Sequence, residues 1–148
     1  MSELKTVVFN EENKPSQQDK KDIVDSLFTN LEEFGDPKEH IERAVKYAVM
    51  DAPSFGGFVL VGYEENKIAG AVVINKTGMK GYIPENILVY IAVNKNMRGK
   101  GYGKILMEKA LEGCVGNVAL HVEPDNPAVK LYEKLGFTNK YLEMRYSK

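Results

Sequence analysis

The feature that most constrains this chain is a strand, a glycine-rich turn and a helix in direct succession. Ile87–Val93 is a continuous apolar run, the mark of a strand covered on both faces. Asn94–Met97 makes a polar turn, and Arg98-Gly99-Lys100-Gly101-Tyr102-Gly103-Lys104 follows. A helix begins near Gly101 and turns Ile105, Leu106, Ala110 and Leu111 inward. Val118–Val122 is a second buried strand. A β–α–β unit of this kind predicts a parallel strand pair with a right-handed crossover.

The rest of the chain supplies the surroundings. Leu4–Phe9 predicts a first strand. Apolar residues at Ile23, Val24, Leu27, Phe28 and Leu31 predict a helix over 16–31, stopped by Gly35. Asp36 is expected to cap a second helix that has Pro37 as its first residue. Phe58–Tyr63 and Lys67–Asn75 form a hairpin across Glu64-Glu65-Asn66. Asp125 or Asn126 caps a late helix running to Leu135, Gly136 ends it, and Phe137 to Tyr146 predicts a final strand. The order is β, α, α, β, β, β, α, β, α, β, and 148 residues suit a single domain, 1–148.

Composition narrows the function classes. With 43% hydrophobic and 28% charged residues the chain is ordinary for a soluble globular protein. A formal net charge of −1 gives no pull toward nucleic acid or an anionic membrane. No apolar run is long enough to span a bilayer, and the N-terminus lacks a signal core. Cys114 is the single cysteine. It fits a reducing, cytoplasmic setting and reads as a helix-end packing residue.

The glycine turn carries the chemistry. Glycines let backbone approach a ligand with no Cβ in the way. The unpaired N–H groups of the next helix's first turn then converge on one spot, which suits a phosphate. Arg98, Lys100 and Lys104 add positive charge. A nucleoside-triphosphate loop is excluded: counting back from Gly103-Lys104 puts Arg98 where its first glycine belongs and Ile105 where its hydroxyl belongs. A dinucleotide fold is excluded too, because too little chain follows. A tight, solubilised strand–helix turn remains the alternative reading of the glycines alone.

The pattern Arg98-x-x-Gly101-x-Gly103 after Ile91-Ala92-Val93 resembles the acetyl-CoA motif of the GNAT N-acetyltransferase superfamily. A second block, from Asp125 to Phe137, resembles the family's late helix, N-x-x-A-x-x-L-Y-x-x-L-G-F. The resemblance implies a mixed α/β (α+β) fold: a mostly antiparallel sheet with a central parallel strand pair, flanked by helices. It also implies an acetyl-CoA-dependent acyltransferase acting by direct attack of an amine in a ternary complex. Backbone groups of Ile91 and Val93 would meet the pantetheine arm. The segment Arg98, Gly99, Lys100, Gly101, Tyr102, Gly103 and Lys104 would hold the pyrophosphate. Tyr132 would stand near the sulfur. The family's asparagine falls at Asp125, with Asn126 one residue later, so both are cofactor candidates.

The reaction needs a base, because a lysine-like amine with a pKa near ~10.4 is mostly protonated at pH 7. His121, between Leu120 and Val122, is the candidate, with Glu85 and Glu123 behind it. Two histidines and one cysteine give no metal-site spacing. The partner is a small-molecule or peptide amine, and a homodimer is compatible with the sequence. The loop Leu31–Asp36 is expected to wall the acceptor pocket. A non-catalytic acyl-CoA-binding sensor or interaction module is the alternative function.

Overall fold

The computed structural model describes residues 3–148. Strand β1 is Lys5–Phe9, helix α1 Gln17–Leu31, helix α2 Lys38–Ala48, and strands β2, β3 and β4 are Gly57–Glu64, Lys67–Lys76 and Asn86–Val93. Helix α3 (Tyr102–Gly113), strand β5 (Val118–Leu120) and helix α4 (Val129–Lys134) complete the order. The five strands form one sheet in the order β1-β2-β3-β4-β5. The first three pairings are antiparallel, and β4 with β5 is parallel. This is the mixed sheet with a parallel pair expected from the sequence, except that the pair lies at the sheet's edge rather than at its centre, because no strand follows β5 in the sheet.

Local chemistry explains most boundaries. Ser16 caps α1: its hydroxyl oxygen accepts from the Asp19 N–H, and the Ser16 N–H donates to the Asp19 carboxylate. The β2–β3 connection is a two-residue turn, Glu65-Asn66, with positive φ at both residues, the backbone that matches the twist of a hairpin. Gly70 on β3 has no Cβ for a packing reason: one would lie 2.7 Å from Leu106 Cδ1 and 2.8 Å from the Ala92 carbonyl oxygen. That glycine lets α3 sit close on the sheet.

Two apolar layers sandwich the sheet. On one face Ile23, Leu27, Ile41, Val45 and Val49 of the first two helices pack on Val59, Val61, Ala71 and Val73. On the other, Leu106, Met107 and Ala110 of α3 pack with Tyr132 on Leu60, Val72, Ile74 and Leu88. Burying each of the larger side chains contributes about 1.5–3 kcal/mol.

Four expectations are corrected. Asp36 does not cap α2; Pro37 occupies that position, and the Asp36 carboxylate accepts a hydrogen bond from Tyr90 instead. Helix α3 buries Tyr102, Leu106, Met107 and Ala110, leaving Ile105 at its rim. The stripe is set by the tight turn at Gly101, which sends Tyr102 inward. Strand β5 ends at Leu120 and is only half-buried, since it is the sheet's edge. Finally, 137–148 forms no strand: Phe137 packs on the α3-side core, while Tyr141, Leu142, Met144 and Tyr146 are exposed.

Candidate active site

The sheet opens where the glycine turn begins. The parallel pairing of β4 with β5 covers Asn86–Leu88 against Val118–Leu120 and stops there. The antiparallel pairing with β3 slips by one residue at the same point: Ile74 faces Leu88, while Val73 faces Tyr90. Val89 is the extra residue of a β-bulge, a device that bends a strand and re-aims its groups. Val89, Tyr90 and Ala92 consequently pack toward α1 and α2, whereas Leu88, Ile91 and Val93 pack toward α3.

Backbone direction follows from the register. The Asn94 N–H donates to the Ala69 carbonyl at 2.7 Å, so residue 94 points toward β3. Alternation along a strand turns Ala92 the same way and Ile91 and Val93 the other way. Their N–H and C=O groups therefore face the side where β5 has already parted from β4. The result is a cleft between two diverging parallel strands, lined on one wall by unpaired backbone.

The glycine turn closes the cleft's end. Gly99 and Gly101 hold φ of +85° and +80°, a region that L-residues rarely adopt. A Cβ at either would meet no atom within 4 Å, so the loop faces open space. Gly103 differs: it lies in the first turn of α3 with ordinary φ, and a Cβ there would stand 3.6 Å from Leu131 and 3.7 Å from Val93. The first helical bond runs from the Ile105 N–H to the Gly101 carbonyl, 3.2 Å. The N–H groups of Tyr102, Gly103 and Lys104 are left free, aligned with the positive end of a twelve-residue helix.

The basic residues of the turn are held by neighbours. Arg98 donates to the Asn30 carbonyl (2.9 Å) and pairs with Glu32 (3.3 Å). Lys100 pairs with Glu64 at 3.0 Å, and the Tyr102 hydroxyl donates to the same carboxylate. The Tyr102 hydroxyl first, and Lys100 second, hold the Glu64 carboxyl below its usual range. Lys104 is largely exposed beside Glu108. The turn's attraction for an anion thus rests mainly on backbone N–H groups.

Tyr132, on α4, is buried to 8% exposure in the α3-side core, with its ring 6.0 Å from that of Phe137. Burial raises its phenol pKa, so it stays protonated. Its hydroxyl has no hydrogen-bond partner among the described residues, and no side-chain oxygen there is both buried and unsatisfied, so the hydroxyl reaches an open space. Neither Asp125 nor Asn126 caps α4, which begins later than expected with Ala128 at its N-cap; Asn126 Oδ1 accepts from the Ala128 N–H at 2.9 Å in the preceding turn, which leaves its Nδ2 free, and Asp125 beside it is exposed. His121 lies one residue beyond β5 and is exposed. Glu85 accepts from the Asn117 N–H at the closed end of the strand pair. Glu123 is exposed. Burial pushes the Cys114 thiol up to about 11, as befits a packing residue.

Three residues escaped the sequence reading. Asn30, only 8% exposed, accepts from the Lys95 N–H at 3.0 Å and fixes the chain just after β4. Its signal was present: it falls on the apolar stripe of α1, three residues after Leu27. Glu64 gave no signal, because a carboxylate at a strand end looks like ordinary surface. Tyr90 donates to Asp36 at 2.5 Å and ties the loop before α2 to the central strand. Burial, then Asp36, pushes the Tyr90 phenol well above its ordinary range.

A concavity of about 500 Å³ lies elsewhere. It is lined by Lys20, Lys21, Asp25 and Asp51 among others, near the end of α1 opposite Asn30. Its charges pair with one another, which leaves little for a ligand.

The family model described as Acetyltransferase (GNAT) family matches residues 21–137. The chain is 32% identical over 106 residues to N-alpha-acetyltransferase 30 of Xenopus laevis, a match covering 68% of this chain and 38% of that protein. The aligned part thus spans well under half of that relative. Among solved structures, an aminoglycoside N-acetyltransferase in complex with CoA superposes with a TM-score of 0.71 at 16% identity, covering 100% of this chain and 96% of the other. A ribosomal-protein-alanine N-acetyltransferase from Brucella melitensis gives 0.63 at 16% identity over 99% and 100% of the two chains. A GNAT family acetyltransferase from Streptococcus pneumoniae gives 0.69 at 16% identity over 100% and 98%. At such identities the structural likeness is one of fold.

Proposed function

Because the chain belongs to the acetyltransferase (GNAT) family, we propose that it transfers an acetyl group from acetyl-CoA to the α-amino group of a peptide, by direct attack in a ternary complex. The observation that carries this reading is the parting of β4 from β5 beside the glycine turn. An extended arm bearing amides fits between strands whose backbone groups are unpaired. A pyrophosphate fits the free N–H groups of Tyr102, Gly103 and Lys104, over glycines that leave open space. When bound, acetyl-CoA supplies the thioester.

The chain's own groups then have assignable roles. The N–H groups of Ile91 and Val93 hold the arm, and the one nearest the thioester donates to the carbonyl oxygen as it gains charge. Asn126 uses Oδ1 to hold the turn before α4 and keeps Nδ2 as a donor toward the cofactor, which suits its amides and phosphates better than the Asp125 carboxylate does. Arg98, Gly99, Lys100 and Gly101 shape the turn, with Arg98 and Lys100 acting through Asn30, Glu32 and Glu64. Tyr132 donates a hydrogen bond to the departing sulfur. A phenol near ~10 or above is a weaker acid than an alkyl thiol near ~8.5. Tyr132 therefore stabilises the thiolate and keeps its proton.

The α-amine is favoured on chemical grounds. Its pKa near ~7.7–8.0 leaves a useful neutral fraction at pH 7, whereas a lysine amine near ~10.4 needs a strong base. His121, exposed beside the cleft's far wall, is suited to assist the former. The names of the Xenopus relative and of the Brucella structural neighbour fit the same class.

The test is a thiol-release assay with acetyl-CoA and a panel of amines: short peptides with free or blocked N-termini, polyamines and an aminoglycoside. Release with free-N-terminus peptides and none with blocked ones is expected. Release confined to the other amines would overturn the acceptor class. Acetyl-CoA binding without release from any amine would favour a non-catalytic sensor.

A further inference from the structure

The loop between α1 and α2 is anchored at both ends to the stretch of chain that carries the cofactor cleft. At its start, Arg98 grips the end of α1. Its Nη2 donates to the Asn30 carbonyl at 2.9 Å, and its Nη1 stands 3.3 Å from the Glu32 carboxylate. At the loop's other end, Tyr90 donates to Asp36. Tyr90 immediately precedes Ile91, and Arg98 immediately precedes Gly99. The two anchors therefore bracket the strand end assigned to the thioester arm and the start of the glycine turn.

Glu32 is the strained member of this arrangement. It ends α1 with φ of +55° and ψ of −126°, a backbone that a residue with a Cβ rarely adopts and that persists only where the surroundings hold it. The Asn30 side chain acts elsewhere: its Oδ1 takes the Lys95 N–H and its Nδ2 the Ser26 carbonyl, which braces α1 against the end of β4. The Arg98–Glu32 pair is half-exposed, at 50% and 47%. Such a pair adds little to overall stability. Its effect is to choose the direction in which the chain leaves α1, and with it the path of 32–36. A lysine would not serve equally, since a planar fork reaches the carbonyl and the carboxylate together, whereas an ammonium is a compact point charge. The Arg98 guanidinium is thereby engaged by the loop.

We propose that Arg98 is a positioning residue for the acceptor: through Glu32 it sets 32–36 in register with the thioester, so that an amine resting on that loop meets the acetyl carbon. The proposal rests on the peptide acetyltransferase reading above. Backbone groups a few residues beyond Arg98 take the pyrophosphate, so this side chain joins the turn that holds one substrate to the loop that walls the other. What stiffens the turn then stiffens the loop, and the linkage is reciprocal.

Glu32→Gln tests this, because it removes the pair and leaves the glycine turn and the Arg98–Asn30 bond in place. Circular dichroism and thermal unfolding should match the parent. For a peptide with a free N-terminus the acceptor KM should rise roughly tenfold, the scale of one charge-assisted hydrogen bond. The acetyl-CoA dissociation constant should stay within about twofold, as for loss of a surface pair. Arg98→Lys should raise the acceptor KM as well, and adding Glu32→Gln to it should raise it no further. An unchanged acceptor KM in Glu32→Gln overturns the proposal. So does a rise matched by an equal weakening of acetyl-CoA, which would assign the pair to the cofactor alone. A parent that releases no thiol with any amine overturns the acetyltransferase reading instead, and amide hydrogen exchange with CoA as the probe then decides whether the link exists. CoA should slow exchange across 32–36 in the parent and not in Glu32→Gln. Equal slowing in both proteins, or none in the parent, overturns the link.

Discussion

Tyr132 is a core residue to which we propose a second, chemical role. Its ring contributes to the α3-side core, while its hydroxyl reaches open space without a partner. Replacement by phenylalanine keeps the ring, so folding should be unaffected. The lost hydrogen bond belongs to the thiolate, which exists only as the reaction proceeds. The expected result is a fall in kcat on the order of 10²-fold, the scale for losing one hydrogen bond to charge that develops in the transition state, with acetyl-CoA affinity nearly unchanged. An unchanged kcat, with acetyl transfer rate-limiting, would return Tyr132 to packing alone. The residue was legible because its position in the L-Y-x-x-L-G-F block is distinctive. Asn30 was less so, since a polar residue on an apolar stripe only announces that a partner must exist. Its Nδ2 finds Ser26 one turn back, but the group its Oδ1 serves, the Lys95 N–H, lies sixty-five residues away.

At the scale of elements, the cleft depends on a bulge and a clamp. The bulge at Val89 ends the β4–β5 pairing and turns Ile91 and Val93 toward the opening. No sequence pattern announced it, because Leu, Val, Tyr and Ile suit regular and bulged strands alike. The clamp is Glu64, which holds Lys100 and Tyr102 on either side of Gly101. It fixes the turn from which α3 starts. Glu64→Gln removes the charge at nearly constant shape and loosens the turn before the cofactor arrives. Acetyl-CoA should bind several-fold more weakly, with kcat at saturation unchanged, as measured by calorimetry and steady-state kinetics. Tighter binding would mean that freeing the Lys100 charge matters more than ordering the turn. Since Glu64 titrates below the usual carboxylate range, its contribution is fully present above that range and is lost only as pH falls through the lowered value.

Across the whole molecule, the hydrophobic periods announced both layers and the glycines announced the tight strand–helix turn, because each is a local pattern. The edges were less legible. Strand β5 stops early and 137–148 stays unpaired, since strand length and pairing depend on a neighbour that the sequence does not name. The central claim is that the open turn at the end of the β4–β5 cleft receives the acetyl-CoA pyrophosphate. Calorimetry with acetyl-CoA in the presence of a chelator, on the parent and on Gly101→Val, tests it most directly. Gly101 has φ of +80°, where a β-branched residue is strained and would swing the free N–H groups out of line. The core lies away from this loop, so the variant should keep its fold. The account predicts one acetyl-CoA per chain for the parent and no measurable heat for the folded variant. Equal binding by both proteins would contradict it.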